Sequence, residues 1–345
     1  MARVVIVDDS SFFRNRLRDM LLEDGHIDVI GMAKDGREAV AMVNDLHPDV
    51  VTMDVEMPVM NGIAAVKEIM SHTPTPVLML SSMTTEGAGA TLDSLAAGAV
   101  DFIAKPDGVN LDINFKRKLC ARVRLIAARG ASSLVVPTIK EANSIHDNHD
   151  SLIRVVADAD LIFIGASTGG PIAVQQLLQT ASSKISCPII VVQHMPSAFT
   201  EPYAERLNGM SNLEVRHLED AAILTKGVIY ISPGGKQLGF VSRNGELVTT
   251  LKDGVASDTY KPCIDYSLKS LAEGVNNKSL VIIMTGMGSD GKEGVARMKK
   301  RGATIWAQDE KSCVIYGMPQ AVVEAGLADA VLSLSQMKSI FSRIT

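Results

Sequence analysis

The chain has 345 residues, 46% hydrophobic and 21% charged, with a formal net charge of −5. That length predicts about two domains with ample material for two cores, and the acidic balance lacks the basic footprint of a nucleic-acid-binding protein. Four scattered cysteines (Cys120, Cys187, Cys263, Cys313) form no C-x-x-C pair, the start MARVVIVDDS lacks a secretory pattern, and no apolar run nears the roughly 18 residues needed to cross a bilayer, so a cytoplasmic, thiol-reduced chain without disulfides or zinc is expected.

In the first half, the apolar run at residues 4–7 ends in Asp8-Asp9-Ser10, and a helix with Phe12, Leu17, Met20 and Leu21 along one side follows. The alternation repeats, with strands predicted at 29–32, 50–53, 77–80 and 102–104 and helices starting near Gly36, Gly62, Thr85 and Leu111. Five such β-then-α units predict a flavodoxin-like, doubly wound parallel sheet of strand order 2-1-3-4-5, with ligands at the carboxyl ends of the strands. The polar residues fall at those ends: Asp8 and Asp9 after the first strand, Asp54 after the third, Ser81 after the fourth and Lys105 after the fifth. Three gathered carboxylates repel one another, and an unpaired buried ion costs roughly several kcal/mol. A hard divalent cation with oxygen ligands, Mg²⁺, resolves this together with Lys105. A metal-clamped aspartate beside a lysine and a hydroxyl can also accept a phosphoryl group. Helix capping explains any one such aspartate singly, but not all five residues together.

The stretches VIVDDS, MDVEMPVMNG, MLSS and AKP resemble the receiver domain of two-component response regulators, over a domain expected to span residues 1–125. The resemblance implies that Asp54 is phosphorylated by a histidine kinase. It also implies that Asp8, Asp9, Asp54 and the backbone carbonyl of Glu56 hold Mg²⁺. Ser81 matches the switch hydroxyl, Phe102 the switch aromatic and Lys105 the phosphate-contacting lysine. Phosphorylation adds about −1.5 to −2 charge and three acceptor oxygens, which can draw Ser81 and Lys105 inward as a two-state element.

The stretch GASSLVVPTIKEANSIHDNHDSLIR is small, polar and turn-forming, and residues 126–155 are expected to form an interdomain linker. His146 and His149 within it are read as solvated rather than metal-binding. The alternation resumes at about residue 156. The apolar run 161–164 leads into Gly165-Ala166-Ser167-Thr168-Gly169, and Pro171 suits the first turn of the helix that follows. This is a G-x-S-x-G elbow, which presents a serine hydroxyl beside free helix N–H groups; a connecting or phosphate-binding Gly/Ser loop fits the same stretch. The run 189–192 ends in Gln193-His194-Met195-Pro196, and Pro196 keeps Met195 out of helical geometry, leaving His194 in a loop. A hairpin turning at Arg243-Asn244-Gly245, a helix near 263–271, a strand at 280–284 and the loop Thr285 to Gly291 come next. A helix at 292–300 and a strand at 304–306 follow.

Residues 156–345 therefore predict a second doubly wound, mostly parallel α/β sheet with a β-hairpin. Ser167, His194 and Asp290 all stand at its strand ends, the placement a serine hydrolase needs. Their chain order differs from the Ser, Asp, His order of α/β-hydrolases. The loop Gly286-Met287-Gly288-Ser289-Asp290-Gly291 also satisfies the dinucleotide pattern G-x-G-x-x-G, with Asp309 after the next strand. Against that rival, Asp290 would put a carboxylate among amides meant for a pyrophosphate.

IGASTGGP, VVQHMP, SPGGKQ and MTGMGSDG are similar, across this second domain, to the catalytic domain of chemotaxis protein-glutamate methylesterases, a family that shares the receiver, linker and catalytic order. The resemblance implies that Ser167 is the nucleophile, His194 the general base and Asp290 its orienter. The N–H of Met287 would serve the oxyanion hole, with Thr168 supporting the site. It further implies a phosphorylation-activated serine hydrolase that demethylates glutamate methyl esters and deamidates glutamines on methyl-accepting chemoreceptors, giving chemotactic adaptation. The partners implied are those receptors as substrate and a chemotaxis histidine kinase as phosphodonor, without nucleic acid or membrane insertion, and a monomer is expected. Mg²⁺ would serve the receiver, and the esterase reaction would need no cofactor. A receiver driving a DNA-binding output would need a basic helix-turn-helix region, which the second half does not offer.

Overall fold

The computed structural model describes residues 1–82, 84–106, 112–130, 146–255, 257–274 and 278–345. The chain divides into two compact units, Met1–Val136 and Pro137–Thr345.

In the first unit, strands β1 (Ala2–Val7), β2 (Ile27–Ala33), β3 (Val50–Asp54), β4 (Val77–Ser81) and β5 (Asp101–Ala104) pair in the order β2-β1-β3-β4-β5, every pair parallel. Val4 to Val7 and Leu78 to Leu80 are fully buried, as strands covered by helices on both faces must be. The helices are α1 (Ser11–Leu22), α2 (Gly36–Leu46), α3 (Gly62–His72), α4 (Thr85–Ala96) and α5 (Ile113–Arg129). Ser10, Asp35, Asn61, Thr84 and Asp112 cap them by accepting first-turn backbone N–H groups, so capping does not consume Asp8, Asp9 or Asp54. Gly62 lets α3 start against the end of β3: a Cβ there would stand 2.1 Å from the carbonyl oxygen of Asp54.

The second unit begins with a helix inside the stretch expected to be linker. Residues 131–145 of the expected linker lie outside the described residues, but helix α5 runs to Arg129 and helix α6 (His146–Ala157) fills the stretch down to residue 155. Within the expected linker Leu152, Ile153 and Val155 are half-buried on this helix, which ends just beyond it with buried Val156, and α6 packs on helix α12 (Leu334–Ser342) near the far end of the sequence. A distant partner, rather than local propensity, stabilises this helix.

Seven strands follow: β6 (Leu161–Ala166), β7 (Ile189–Gln193), β8 (Glu214–His217), β9 (Val228–Ile231), β12 (Ser279–Ile283), β13 (Thr304–Gln308) and β14 (Ala330–Leu332). They form one parallel sheet of order β14-β13-β12-β6-β7-β9-β8. Strands β10 (Lys236–Arg243) and β11 (Glu246–Asp253) make a separate antiparallel hairpin. Its two-residue turn puts Asn244 (φ 53°) and Gly245 (φ 83°) in the left-handed region, as a primed turn requires. The remaining helices are α7 (Gly170–Gln179), α8 (Ser197–Asn208), α9 (Ile264–Gly274), α10 (Lys292–Lys300) and α11 (Met318–Glu324). From β6 the chain builds outward through β7 on one side and later through β12 on the other. The carboxyl end of β6 is therefore a topological switch point, where doubly wound sheets open a crevice for ligands. Register aligns the three central strands there, with Ala166 opposite Gln193 and Gly165 opposite Ile283.

Candidate active site

At the end of β6 the backbone turns sharply: Ser167 N–H donates to Thr285 O (3.0 Å), Gly170 N–H donates to Ser167 O (2.8 Å), and Gly169 takes φ 74° before Pro171 opens α7. The turn brings the Ser167 hydroxyl to 3.1 Å from His194 Nδ1, and His194 Nε2 lies 2.7 Å from Asp290 Oδ2. One hydrogen-bonded chain thus links residues that are far apart in sequence.

Asp290 is held from several sides. Its Oδ2 also accepts the N–H of Ile264 (2.8 Å), and its Oδ1 accepts the N–H of Asp265 (2.9 Å) and the thiol of Cys263 (3.3 Å). These donors open α9, so the carboxylate sits on a helix N-terminus, where negative charge is favoured. Burial opposes its ionisation, but His194 and the two backbone N–H groups outweigh burial and hold its pKa below the ordinary carboxylate value. Burial, and then the charge of Asp290, push the Cys263 thiol up to about 12, keeping it protonated as a donor. Because an ionised carboxylate only accepts, Nε2 carries the imidazole proton and Nδ1 turns a lone pair to Ser167. In chymotrypsin-type triads the two nitrogens have the opposite assignment.

The loop after β12 closes on the same point. A Cβ on Gly286 would fall 2.8 Å from the Ser167 Cβ, so only glycine lets this turn lie against the serine. The adjoining Met287 is half-buried, and its N–H has no protein partner among the described residues. Thr168 is buried with its hydroxyl unpartnered among the described residues, and its carbonyl accepts from Thr285 Oγ1 (2.8 Å).

In the first unit, Lys105 Nζ stands 2.7 Å from Asp8 Oδ2 and 2.6 Å from Asp54 Oδ2, and 4.6 Å above the Phe13 ring. Carboxylate oxygens of Asp8, Asp9 and Asp54 all lie within 4.8 Å of one another. Burial pushes the Asp54 pKa up to about 6, with Asp8 adding to it and Lys105 opposing it. Asp9, Asp54, Glu56 and Lys105 line an open cleft of about 500 Å³ together with Ser82. Ser81 and Phe102 are buried and do not line it. The Ser81 hydroxyl is instead engaged by Thr91 Oγ1 and faces the carbonyls of Ser82 and Gly87.

Two family profiles match the chain: CheB methylesterase over residues 162–341 and the response regulator receiver domain over residues 4–112. The chain is 42% identical to the protein-glutamate methylesterase/protein-glutamine glutaminase 1 of Pseudomonas aeruginosa, over 97% of both sequences. It is 41% identical to the corresponding protein of Idiomarina loihiensis, over 99% of this chain and 98% of that one. The chain belongs to the CheB methylesterase family. Among solved structures, the catalytic domain of the Thermotoga maritima CheB methylesterase is 35% identical, with a TM-score of 0.51, covering 54% of this chain and 99% of that domain. Membership confirms the expected pairing of a flavodoxin-like receiver with a doubly wound α/β catalytic domain.

Around the residues singled out from sequence, this CheB-type site holds others that sequence reading missed. Gln193 Nε2 donates to Ser167 O (2.9 Å) and His194 O (3.3 Å), tying the serine turn to the histidine loop. Gln308, fully buried at the end of β13, accepts the N–H of Thr285 (2.9 Å) and so fixes the residue that receives Ser167 N–H. A buried glutamine at a strand's carboxyl end was the available signal for both. Tyr260 stacks on the imidazole of His194, and nothing in its surrounding sequence announces it. No helix among the described residues is long and apolar enough to cross a membrane.

Proposed function

We propose that the chain is a protein-glutamate methylesterase and protein-glutamine glutaminase, the two activities its relatives are named for, and that it is activated by phosphorylation and acts on chemoreceptors in chemotactic adaptation. The Ser167–His194–Asp290 hydrogen-bonded chain at the switch point carries this reading. Ser167 Oγ attacks the γ-carbonyl of a glutamyl methyl ester while His194 Nδ1 takes its proton. Asp290 keeps the proton on Nε2 and balances the imidazolium as it forms. The Met287 N–H, without a protein partner among the described residues, serves the oxyanion, where one such donor is worth about 10²- to 10³-fold in rate, and Thr168 supports the turn through its carbonyl, which accepts from Thr285 Oγ1. His194 then protonates the departing methoxide, and water activated by the same imidazole frees the glutamate and regenerates Ser167. A glutamine side chain follows the same path with ammonia leaving.

In the receiver, Asp54 is the phosphoryl acceptor and a chemotaxis histidine kinase the donor. The surroundings fit a hard divalent cation: three carboxylates converge, and one lysine leaves Asp54 undercompensated enough for burial to raise its pKa. Asp8, Asp9, Asp54 and the Glu56 carbonyl would hold Mg²⁺, which when bound neutralises charge on the incoming phosphoryl oxygens. Lys105 contacts the phosphoryl group, and Ser81 and Phe102 turn in response to it. The working protein is a cytoplasmic monomer, with residues 1–125 as its input domain and residues from 156 on, extended back by α6, as its catalytic domain. The test is Ser167→Ala, expected to abolish methanol release from methylated receptors while Asp54 still takes up phosphate. Continued methanol release would overturn the assignment.

A further inference from the structure

The segment between the hairpin and α9 touches both His194 and Asp290. Tyr260 lies face to face with His194, ring centroids 4.1 Å apart and planes within 9°. A Cβ on Gly288 would stand 3.1 Å from the tyrosine hydroxyl, so the far end of this ring reaches the turn that carries Met287. Three residues on, Cys263, Ile264 and Asp265 supply the donors that hold Asp290. One buried amide anchors the segment at both ends: Gln237 Nε2 donates to Tyr260 O (2.8 Å), and Gln237 Oε1 accepts Cys263 N–H (2.9 Å).

We propose that Tyr260 is a positioning residue for the esterase, a face clamp that fixes the plane of His194 and steadies the imidazolium of the transition state. The inference rests on the triad reading above. The hydrogen bonds of His194 leave from Nδ1 and Nε2, in the plane of the ring, and resist tilting about the line joining those atoms poorly. A second ring lying flat on one face blocks that tilt. Its π cloud also attracts a cation more than a neutral ring, so the stack strengthens as His194 takes the serine proton. An interaction that strengthens only then lowers the barrier rather than merely binding substrate.

The experiment compares Tyr260→Phe and Tyr260→Leu in the full chain. Two rates are read: labelling of Ser167 by a fluorophosphonate, which needs no receptor docking, and kcat with KM on methylated receptor membranes. Both are expressed per Ser167 labelled at saturation, so unfolded protein drops out. Tyr260→Phe should stay within about 3-fold of the parent, and Tyr260→Leu should lose about 10-fold in labelling rate and kcat with KM unchanged. Should the leucine variant fail to fold, Tyr260→Met, similar in reach but without a π face, is expected to show the same loss. Parental rates in the leucine or methionine variant, or an equal loss in the phenylalanine variant, overturn the clamp. If the parent is labelled at Ser167 and Ser167→Ala is not, that outcome leaves the triad reading standing; if the parent is never labelled there, both readings fall.

Discussion

Replacing Asp290 by asparagine changes one atom and tests the whole hydrogen-bonded chain. The backbone aims N–H groups at both carboxylate oxygens, Ile264 at Oδ2 and Asp265 at Oδ1. An asparagine has one acceptor oxygen, so in either orientation its NH₂ faces a backbone donor, at a cost of about 1–3 kcal/mol for the unpaired groups. With the NH₂ towards His194, Nε2 must accept, the ring proton moves to Nδ1, and Ser167 loses its base. With the oxygen towards His194 the tautomer survives but the charge does not. At roughly 4 Å and an effective dielectric near 20, the attraction lost to the imidazolium is about 4 kcal/mol, or about 10³-fold in rate. Asp290→Asn should therefore lower kcat for methanol release by at least about 10³-fold, with KM little changed and a cooperative urea transition retained. A folded variant within about tenfold of the parental kcat would refute the role given to the carboxylate.

Two further outcomes follow from charge and burial. Burial raises the Asp54 pKa to about 6, so more of the carboxyl is ionised at pH about 7.5 than at about 5; Mg²⁺ should raise the melting temperature of the receiver transition more at the higher pH, and excess EDTA should stop phosphorylation of Asp54 by a small phosphodonor. An Mg²⁺ effect equal at both pH values, or phosphorylation in EDTA, contradicts this. Burial, opposed by Glu201 and Glu219, holds His217 below the ordinary imidazole value of 6.5. The folded chain then binds fewer protons than the unfolded chain just below that pH, so the His217 contribution to stability is complete above 6.5 and is lost as pH falls through the window down to the folded pKa. His217→Gln, able to keep the bond to Thr200 (3.0 Å), should flatten the urea midpoint between pH about 6.5 and 5, and an unchanged slope refutes the assignment.

Much of this architecture was legible because parallel strands covered on both faces become unbroken apolar runs, as in Val4 to Val7 and Leu161 to Ile164, and because punctuation such as Asn244-Gly245 and Pro171 has a local mechanism. Where stability came from afar, the reading failed. Helix α6 looked like linker since its buried side meets α12, and β14 is three residues long with one of them buried. The carboxylates of the receiver could be gathered from strand ends alone, whereas Ser81 facing Thr91 depends on a side-chain rotamer that no spacing encodes. Tyr260 and Gln237 escaped for the same reason, because their partners are fixed only when the segment after the hairpin folds over the sheet.

The orientation of His194 shows how topology decides what residue identity leaves open. The strand order places β6 between β7 and β12, so Ser167 is the near neighbour of His194 and Asp290 stands beyond it on the far side. Adjacent strands lie about 4.8 Å apart, so the histidine must reach one strand for the hydroxyl and about two for the carboxylate. In an imidazole, Nδ1 adjoins the ring carbon that bears the side chain and Nε2 is at the far tip. The short reach therefore falls to Nδ1 and the long one to Nε2, the assignment the distances of 3.1 and 2.7 Å record. Moving the carboxylate to the end of β7 or β9 would reverse the demand and bring back the protease-like use of the two nitrogens. The ring's polarity is thus a consequence of building one half of the sheet on each side of the serine strand.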